Sequence, residues 1–426
     1  MGVYLKDIPL EQAWQRWKDA LAEANLNGIL ESQLVPLDEH AVGRILAEPV
    51  WAKICSPHYH SAAMDGFAVR SSDTLSALPS RPIRLGVRSQ ATYVDTGDPL
   101  PDFANAVIPI EQVDALDVSG SAASDIRNPK FIEIRAAVAP WSSVRLMGED
   151  IVATQLVLSA GHSIRPVDLG AMAACGHTQI LVTRKPRVAI LPTGTELVAV
   201  GEVVKPGAII EFNSIVLAAQ IHQWDGEADR YPVVADQFEE IKQAVWAAAQ
   251  DHDLVLINAG SSAGSEDYTS AVVEALGDLL VHGVAIRPGH PVILGMIHLD
   301  KARHVPVIGV PGYPVSAALT GEILVQPTLA IWNGQKDRPV DTISARLTHK
   351  VNSPAGDDDY VRMVAGKVAG VMLAAPLHRG AGVINSLVKA DGITIFPRVM
   401  QGLEAGAQVS VRLYRHRDAL EKTIFL

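Results

Sequence analysis

The stretch from Pro186 to about Trp332 most constrains the fold, because short runs of apolar, β-branched residues alternate there with amphipathic stretches. The runs that we predict to be strands are residues 187–191, 254–258, 281–286 and 305–310. Strands that alternate with helices predict a mostly parallel sheet with crossover connections. This block of the chain, residues 186–333, therefore reads as one α/β domain.

Two of its helices have clear apolar faces. Residues 236–250 place Phe238, Ile241 and Val245 on one side, and Asp236 followed by Glu239 is typical of a capping box. The second helix is marked by four apolar positions, Tyr268, Val272, Val273 and Leu276.

The rest of the chain divides into segments that differ in their predicted secondary structure. An amphipathic helix follows Pro9, with Leu10, Trp14, Trp17 and Leu21 on one face, and further helices are predicted over 37–47 and 167–175. Residues 51–141 and the segment from about 337 to the end are alternating β-like runs broken by Gly, Asp and Pro. The sequence thus predicts several domains, two of them β-rich, and the last is a small barrel or sandwich.

Each predicted strand of the α/β block runs directly into a loop rich in Gly, Pro or Ser. These loops are residues 192–196, 258–269, 287–291 and 310–314. Ligands of open parallel sheets bind outside the carboxyl ends of the strands, so the loops predict one shared site. The small residues 259–265 before a helix suit a phosphate cradle, although a plain strand–helix connection explains the same composition. The common nucleotide-binding fingerprints are not present.

Charged residues in Gly-flanked loops indicate how an anion could be held. Arg287 could bind a phosphate or oxyanion through its planar fork, and His290 could assist when protonated, with a solvated turn as the alternative. Carboxylates beside a phosphate cradle suggest Mg²⁺, although each one alone is also a common turn or cap residue. The acids in question are Asp65, Asp150, Glu196 and Asp267. We interpret residues 357–359, three consecutive aspartates, as a solvated turn.

Composition excludes several classes of function. The formal net charge of −11 disfavours binding to nucleic acid or to anionic membranes, so an anionic substrate must be held by local basic or backbone N–H groups. Two cysteines rule out a disulfide framework and a cysteine-based metal site. Neither a signal peptide nor an 18-residue apolar run is found, and we therefore expect a cytoplasmic protein.

Taken in order, these motifs resemble those of the molybdopterin molybdenumtransferases, the MoeA family, to which the E domain of gephyrin is related. The matching segments are VGRILAEPV (42–50), SAAMDGFAVR (61–70), TGDPLP (96–101), NAVIPIEQV (105–113), GEDI (148–151), RVAILPTGTELV (187–198), the Ser/Gly loop up to DYT, RPGHP (287–291), VPGYPVSA (310–317) and RGAGVINSLVKADGI (379–393).

The resemblance implies a multidomain fold and an elongated homodimer. It implies a linking helical domain (1–50 and 142–185), an inserted β-rich lid (51–141), a MogA-like α/β domain (186–333) and a C-terminal β-barrel (334–426). In that arrangement the lid can face the α/β domain of the partner subunit, so that Asp65 acts across the dimer. Partners implied are a MogA-like adenylyltransferase and molybdoenzyme apoproteins.

The resemblance also implies a reaction. Adenylylated molybdopterin and molybdate are the substrates, molybdate is inserted at the dithiolene, and AMP is released with the help of Mg²⁺. Asp65, Asp150, Glu196, Asp236 and Asp267 match catalytic carboxylates, with Glu196 and Asp267 as the Mg²⁺ ligands. The residues that match substrate-binding positions are Thr96, Gly260, Ser262, Gly264, Arg287, His290, Pro311, Pro314 and Ser316.

The sequence departs from the family pattern inside the expected site. The usual KPGKP is RPGHP here, so Arg287 and His290 replace two lysines, and a neutral imidazole would hold an anion more weakly than a lysine does. Tyr313 stands where Asn is common, the usual GGVSVGEADYT is AGSSAGSEDYT, and a C-terminal Ser-Gly is Ala381-Gly382. Two alternatives therefore stay open, a non-catalytic cofactor-binding or scaffold protein and an enzyme that inserts tungstate.

Overall fold

The computed structural model describes residues 7–259, 268–335 and 340–422. The chain forms two compact units. We call residues 33–182 the β-rich unit, and residues 1–32 together with 183–426 the α/β–barrel unit. The four-part division of the chain with its predicted boundaries stays a prediction.

The chain begins with the predicted amphipathic helix, α1 (Leu10–Glu23). Its apolar spacing buries Ala13, Trp17 and Leu21 completely. The indole Nε1 of Trp17 donates to Thr328 Oγ1 at 2.9 Å, so this helix packs against the later part of its own α/β–barrel unit.

Short antiparallel strands build most of the β-rich unit. Its elements are β1 (Ser32–Pro36), β2 (Val50–Trp51), β3 (Ser61–Ala62), β4 (Gly66–Val69), β5 (Ile83–Gly86), β6 (Ala91–Val94), β7 (Ala106–Pro109), β8 (Val113–Leu116), β9 (Phe131–Ile134), β10 (Val144–Arg145), β11 (Leu156–Leu158), α2 (Pro166–Ala174) and β12 (Gln179–Thr183). Two three-stranded sheets, ordered β6-β4-β7 and β5-β9-β8, enclose a core that includes Phe67, Leu85, Ile108 and Ile132. This arrangement confirms the predicted β-rich texture.

The helix predicted over 37–47 does not form. Asp38 caps a single 3-10 turn, Glu39–Ala41, by accepting the backbone N–H of His40, and Gly43 then takes a positive φ of 83°. Ile45 and Leu46 instead form isolated β-bridges with strands and loops later in the unit. The apolar residues of this segment therefore pack from an extended backbone and not from a helix. The prediction of a helix was wrong.

Helix α2 agrees with its prediction, and a buried carboxylate fixes its start. Asp168 accepts the backbone N–H of Arg165 at 2.8 Å and pairs with the guanidinium of Arg165 and with His162 Nε2. The Arg165 side chain, followed by His162, holds the pKa of Asp168 well below its usual range.

The α/β part of the α/β–barrel unit has the alternation of strands and helices that the sequence pattern predicts. Its elements are β13 (Arg187–Pro192), β14 (Leu197–Val198), β15 (Ile209–Ile210), α3 (Asn213–Gln223), β16 (Glu227–Arg230), α4 (Phe238–Asp251), β17 (Leu254–Ala259), α5 (Thr269–Leu276), β18 (Gly277–His282), β19 (Ile286–Arg287), β20 (Ile293–His298), β21 (His304–Pro311), α6 (Pro314–Thr320) and α7 (Gln326–Trp332). The six-stranded sheet has the order β16-β13-β17-β21-β20-β18. The first four strands are parallel and the last two pairings are antiparallel, which confirms a mostly parallel sheet.

The strand predicted over 281–286 is divided in the structure. Strand β18 ends at His282, Gly283 turns the chain with a φ of 104°, and β19 leaves the sheet. The antiparallel strand β20 was not predicted from the sequence.

A long apolar helical run lies in the core of this unit. Helices α6 and α7 are joined by a π-helical turn, Gly321–Val325. The combined run Pro314–Trp332 has a mean hydropathy of 1.2 and is long enough to cross a membrane, but 67% of it is buried inside the protein. It is therefore built as the core helix of a globular domain.

The C-terminal segment closes into the predicted β-barrel. Its elements are β22 (Thr342–Leu347), β23 (Val351–Asn352), β24 (Asp358–Val368), β25 (Val371–Pro376), α8 (Asn385–Lys389), β26 (Gly392–Phe396), β27 (Gly402–Leu403) and β28 (Gln408–Leu413). Pairing runs β24-β25-β22-β28-β26 and returns from β26 to β24, around a core that contains Val361, Met363, Phe396 and Val411. Strand β19 adds in parallel to the outer edge of β24.

The aspartates at 357–359 are not a solvated turn, and that interpretation was wrong. All three are buried, with exposed fractions of 8%, 8% and 2%. Asp358 and Asp359 begin the long strand β24, and Asp358 accepts the backbone N–H of Arg398 at 2.9 Å. Buried carboxylates need partners, and the partners here are cations and backbone donors.

Candidate functional site

Two asparagines tie the strand-end loops of the α/β sheet together. Asn258, at the end of β17, donates from Nδ2 to the carbonyls of Val310 and Pro311 at 3.3 Å. Asn213, the first residue of α3, donates to Gly312 O at 2.7 Å and to Asn258 Oδ1 at 3.2 Å. The sequence reasoning missed both residues, although each stands directly at a strand end or a helix start. The end of β17 and the loop after β21 thus share one scaffold.

The loop after β13 carries one of the expected acids, Glu196, and contacts another, Asp236. Gly194 donates its N–H to Val234 O at 3.1 Å, and a Cβ on Gly194 would lie only 3.0 Å from Glu196 Oε2. Glu196 is partly buried in this position, with its carboxylate folded over the glycine. The N–H of Thr195 donates to Asp236 Oδ2 at 3.3 Å.

Asp236 is not the N-cap that the capping-box pattern predicted. Helix α4 begins at Phe238, its N-cap residue is Gln237, and no side chain caps it. The Asp236 carboxylate accepts instead from the loop after β13, through the N–H of Thr195, the residue before Glu196. Asp236, two positions before the helix, thus binds the strand-end loop and not the helix start.

Part of the predicted phosphate cradle lies outside the residues that the structure describes. These positions are Gly260, Ser262, Gly264 and Asp267. The roles assigned to them, including Mg²⁺ binding by Asp267, stay predictions.

Carboxylates of the same chain form ion pairs with both Arg287 and His290 in the RPGHP loop. Arg287 Nη2 lies 3.1 Å from Asp357 Oδ2. His290 Nε2 lies 2.7 Å from Asp7 Oδ2 and 3.5 Å from Asp357 Oδ1. The two residues that replace the family's lysines are therefore already engaged by acids, rather than standing in a solvated turn.

The segment after β21 packs against both the RPGHP loop and the barrel. Pro311 is buried at the end of β21, Pro314 opens α6, and Ser316 is only 2% exposed. A Cβ on Gly289 would lie 3.9 Å from Ser316 Cβ, which places Ser316 next to the RPGHP loop. Val315 donates its N–H to Ala381 O at 3.0 Å.

The exposed ring of Tyr313 faces the barrel loop that departs from the family pattern. A Cβ on Gly382 would lie 3.5 Å from Tyr313 Cδ1. The Tyr313 and Ala381-Gly382 departures therefore meet at one place in the structure.

A cleft of about 520 Å³ lies between the RPGHP loop and the barrel. Its lining includes three arginines, Arg287, Arg362 and Arg379, together with Asp359 and Tyr360. Arg379 is ion-paired to Asp359 and also donates to Asn352 O. One arginine of the cleft, Arg379, is thus paired with a buried carboxylate.

Arg362 is different, because its described hydrogen bonds all go to neutral oxygens. It is 1% exposed and donates to Ser386 Oγ at 3.1 Å, His378 O at 2.7 Å and Gly380 O at 3.3 Å. Burial lowers the pKa of Arg362 from its ordinary value, yet arginine stays charged in proteins. A buried cation on the wall of a cleft, with neutral partners, is suited to an anionic ligand. Arg362 stands among apolar residues in the strand sequence YVRM, so no pattern of charges in the sequence indicated that it belongs to a site.

In the β-rich unit, Asp65 and Thr96 form a compact pair. Asp65 Oδ1 accepts both the backbone N–H and the hydroxyl of Thr96 at 2.8 Å. These hydrogen bonds, the backbone one first, lower the pKa of the exposed Asp65 carboxyl. Gly66 is required because a Cβ there would lie 2.1 Å from Ile108 O on the neighbouring strand β7. The carboxylate is therefore held ionised and accessible at the start of β4.

Asp150 lies in the same unit and is also exposed. Its backbone N–H donates to Ser56 O at 3.1 Å, which fixes the GEDI turn. His60, in the PHYHS segment, accepts the N–H of Met147 through Nδ1 at 3.0 Å. Within the described ranges of the chain, no cluster of three or more His, Cys, Asp or Glu residues could hold a metal ion.

Comparison with known proteins agrees with these features. Family models match three regions of the chain: the MoeA N-terminal region (domain I and II) over residues 8–176, a probable molybdopterin binding domain over 189–331, and the MoeA C-terminal region (domain IV) over 344–414. A Methanocaldococcus jannaschii protein named for molybdopterin biosynthesis is 33% identical over 391 residues, which cover 88% of this chain and 90% of the relative.

The chain belongs to the MoeA family.

Two further proteins match this chain over most of their own length. Molybdopterin molybdenumtransferase 2 of Mycobacterium tuberculosis is 30% identical and covers 88% of this chain and 94% of the relative. The crystal structure of a molybdopterin biosynthesis MoeA protein from Pyrococcus horikoshii superposes with a TM-score of 0.77 at 32% identity, and covers 96% of this chain and all of that one. The MoeA fold is thus retained here, including the closed barrel.

Proposed function

We propose that this member of the MoeA family is a molybdopterin molybdenumtransferase that acts in molybdenum cofactor biosynthesis. In this reaction molybdate is inserted at the dithiolene of adenylylated molybdopterin, and the phosphoanhydride is cleaved with release of AMP. Family membership and relatives that bear this enzyme name support the proposal. Neither the scaffold alternative nor the tungstate alternative is favoured by them.

The observation that carries the chemistry is the arginine cleft. Both substrates are anions, and the chain carries a net charge of −11, so binding needs local cations. Arg362 supplies one that is buried and bound only to neutral oxygens in the described part of the chain. Arg287 lies on the same cleft and is half exposed. We assign the tetrahedral oxyanion to this cleft.

The carboxylates at the strand-end loops are assigned to Mg²⁺. Glu196 and Asp236 lie on one loop scaffold, and Asp267 is the third acid by motif. Mg²⁺ commonly binds one or two carboxylates together with substrate phosphates and water, so this donor set fits the ion. When bound, the ion offsets phosphate charge during cleavage of the anhydride.

The residues of the chain itself position the substrates. Asn258 and Asn213 hold the loops that the pterin phosphate and molybdate would contact, and Ser316, Pro311 and Pro314 shape the neighbouring wall. Asp65, held ionised by Thr96, acts as a catalytic carboxylate presented by the lid, and Asp150 acts as a further catalytic carboxylate. The proposal includes a homodimer in the cytoplasm, in which Asp65 serves the partner subunit.

AMP release tests the proposal. The purified protein is incubated with adenylylated molybdopterin, Mg²⁺ and molybdate, and AMP is quantified over time. We expect molybdate-dependent AMP release that is lost when Mg²⁺ is chelated. A folded protein that releases no AMP above background would leave only a binding role.

A further inference from the structure

The N-terminal segment brings a carboxylate into the oxyanion loop. Ile8 pairs in parallel with Val284: its N–H donates to Gly283 O at 3.3 Å, and its carbonyl accepts the N–H of Ala285 at 2.8 Å. These two backbone bonds fix the residue before it, Asp7, directly beside the RPGHP loop. Asp7 Oδ2 then lies 2.7 Å from His290 Nε2.

The charges of this cluster work against an incoming anion. Asp357 is largely buried and is matched by Arg287 at 3.1 Å. In the described part of the chain, the ion-pair partner of Asp7 is His290, which carries charge only when protonated. With a neutral imidazole the four groups Arg287, His290, Asp7 and Asp357 sum to −1. The negative charge that remains is that of Asp7, and about a third of this side chain is exposed.

We propose that Asp7 is an affinity-determining residue of the oxyanion site, and that its carboxylate competes with tetrahedral oxyanions for His290. The inference rests on the proposed function, because it takes the RPGHP loop to be part of that site. It explains the effect of having His290 where the family has a lysine. The imidazole Nε2 is held by an internal acid, and an anion binds there only when it displaces that acid.

Removal of the charge is the direct test. We compare the wild-type protein with Asp7→Asn, and use Asp19→Asn as the matched control, since Asp19 is an exposed acid on the neighbouring helix α1. Binding of molybdate, and separately of inorganic phosphate, is measured by isothermal titration calorimetry at pH 7 and low ionic strength. The Asp7 carboxylate holds the imidazole Nε2 through a charge-assisted hydrogen bond, and an amide would hold it through a weaker neutral one; the difference of about 1 kcal/mol corresponds to roughly five-fold in anion affinity. We expect Asp7→Asn to bind about five-fold more tightly, and Asp19→Asn to match the wild type.

A second pair of variants shows whether the effect passes through the imidazole. In a His290→Ala background the gain from Asp7→Asn should fall to less than about two-fold, because the contested donor is gone. The gain should also shrink as salt is raised, since exposed charges are screened. A gain with molybdate alone identifies molybdate as the anion of this loop, and a gain with phosphate alone identifies the substrate phosphate.

The outcomes separate the inference from the proposed function. If the wild type binds molybdate and releases AMP but Asp7→Asn binds both anions as the wild type does, the inference is wrong and the proposed function stands. An equal gain in Asp19→Asn would also overturn it, because the effect would then be one of net charge. If neither anion binds to any variant and no AMP is released, both proposals fail together.

Discussion

Arg287 is paired with Asp357 at 3.1 Å, across the boundary between the RPGHP loop and the first strand edge of the barrel. The pair neutralises one of the two cations expected to hold the oxyanion. The neighbouring buried Arg362 donates to neutral oxygens only in the described residues, so the two arginines of one cleft differ in how much charge they can offer.

This difference predicts unequal effects of two substitutions. Arg362→Gln should raise the molybdate concentration for half-maximal AMP release by about 30-fold, as expected for loss of a charge-assisted hydrogen bond of about 2 kcal/mol. Arg287→Gln should raise it only about three-fold, because Asp357 already offsets that charge. Steady-state AMP release against molybdate concentration measures both values. Equal effects in two folded variants would refute the assignment of the oxyanion to Arg362.

Replacement of His290 by lysine should strengthen the anion site. An ammonium group carries a permanent charge, and it can pair with Asp7 or Asp357 and still attract an oxyanion. We expect His290→Lys to lower the half-saturating molybdate concentration about three- to ten-fold, and His290→Gln to raise it. The same molybdate titration of AMP release checks this. An unchanged value for His290→Lys would show that this loop does not contact the anion.

The exposed pair of Asp65 and Thr96 predicts a loss of rate without a loss of stability. Asp65→Asn should lower kcat by about 100-fold, the scale of a positioned acid–base group, while the thermal midpoint stays within about 2 °C of the wild type. Asp102→Asn, an exposed acid in the same unit, is the control and should retain full activity. If Asp65→Asn kept its rate, the lid carboxylate would have no catalytic role.

The alternating pattern of the α/β block was sufficient to predict its sheet, because strand ends and loop composition are local properties. The site within it was harder to predict. Asp236 fits a helix-cap pattern as well as a loop contact, and the pairing of Thr193 and Gly194 with Val234 decides between them. Asp357, Asp359 and Arg362 sit in a barrel strand whose partners are distant in sequence, so no local signal shows that they are buried and paired.

The helix predicted over 37–47 failed for a related reason. Its apolar spacing is compatible with a helix, but Gly43 needs a positive φ and Leu46 bridges to Val182, more than a hundred residues away. Long-range strand pairing overrides local propensity in such segments.

A half-buried acid outside the proposed chemistry, Glu322, predicts a pH dependence of stability. Glu322 lies in the π-helical turn near Tyr414, and burial raises its pKa from an ordinary 4.5 to about 7. The folded protein therefore holds this proton more tightly than the unfolded chain does. The stability that Glu322 contributes is complete below pH 4.5 and is lost as the pH rises through about 7.

Glu322→Gln should remove this dependence, because the amide is neutral at every pH. Its stability relative to the wild type should grow by roughly 3 kcal/mol between pH 4 and pH 8. Urea unfolding at a series of pH values measures the difference, with Glu404→Gln, an exposed acid of the barrel, as the control. A constant difference across that range would mean that Glu322 titrates normally in the folded protein.

The central claim is that this chain couples molybdate insertion to cleavage of the adenylylated pterin. A single-turnover reaction of the wild-type protein with adenylylated molybdopterin, Mg²⁺ and molybdate measures it most directly, when AMP and pterin-bound molybdenum are quantified in the same samples. The account predicts that one molybdenum is inserted for each AMP released, and that Arg362→Gln depresses both together. AMP release that proceeds at the same rate without molybdate, or pterin that remains metal-free while AMP accumulates, would contradict it.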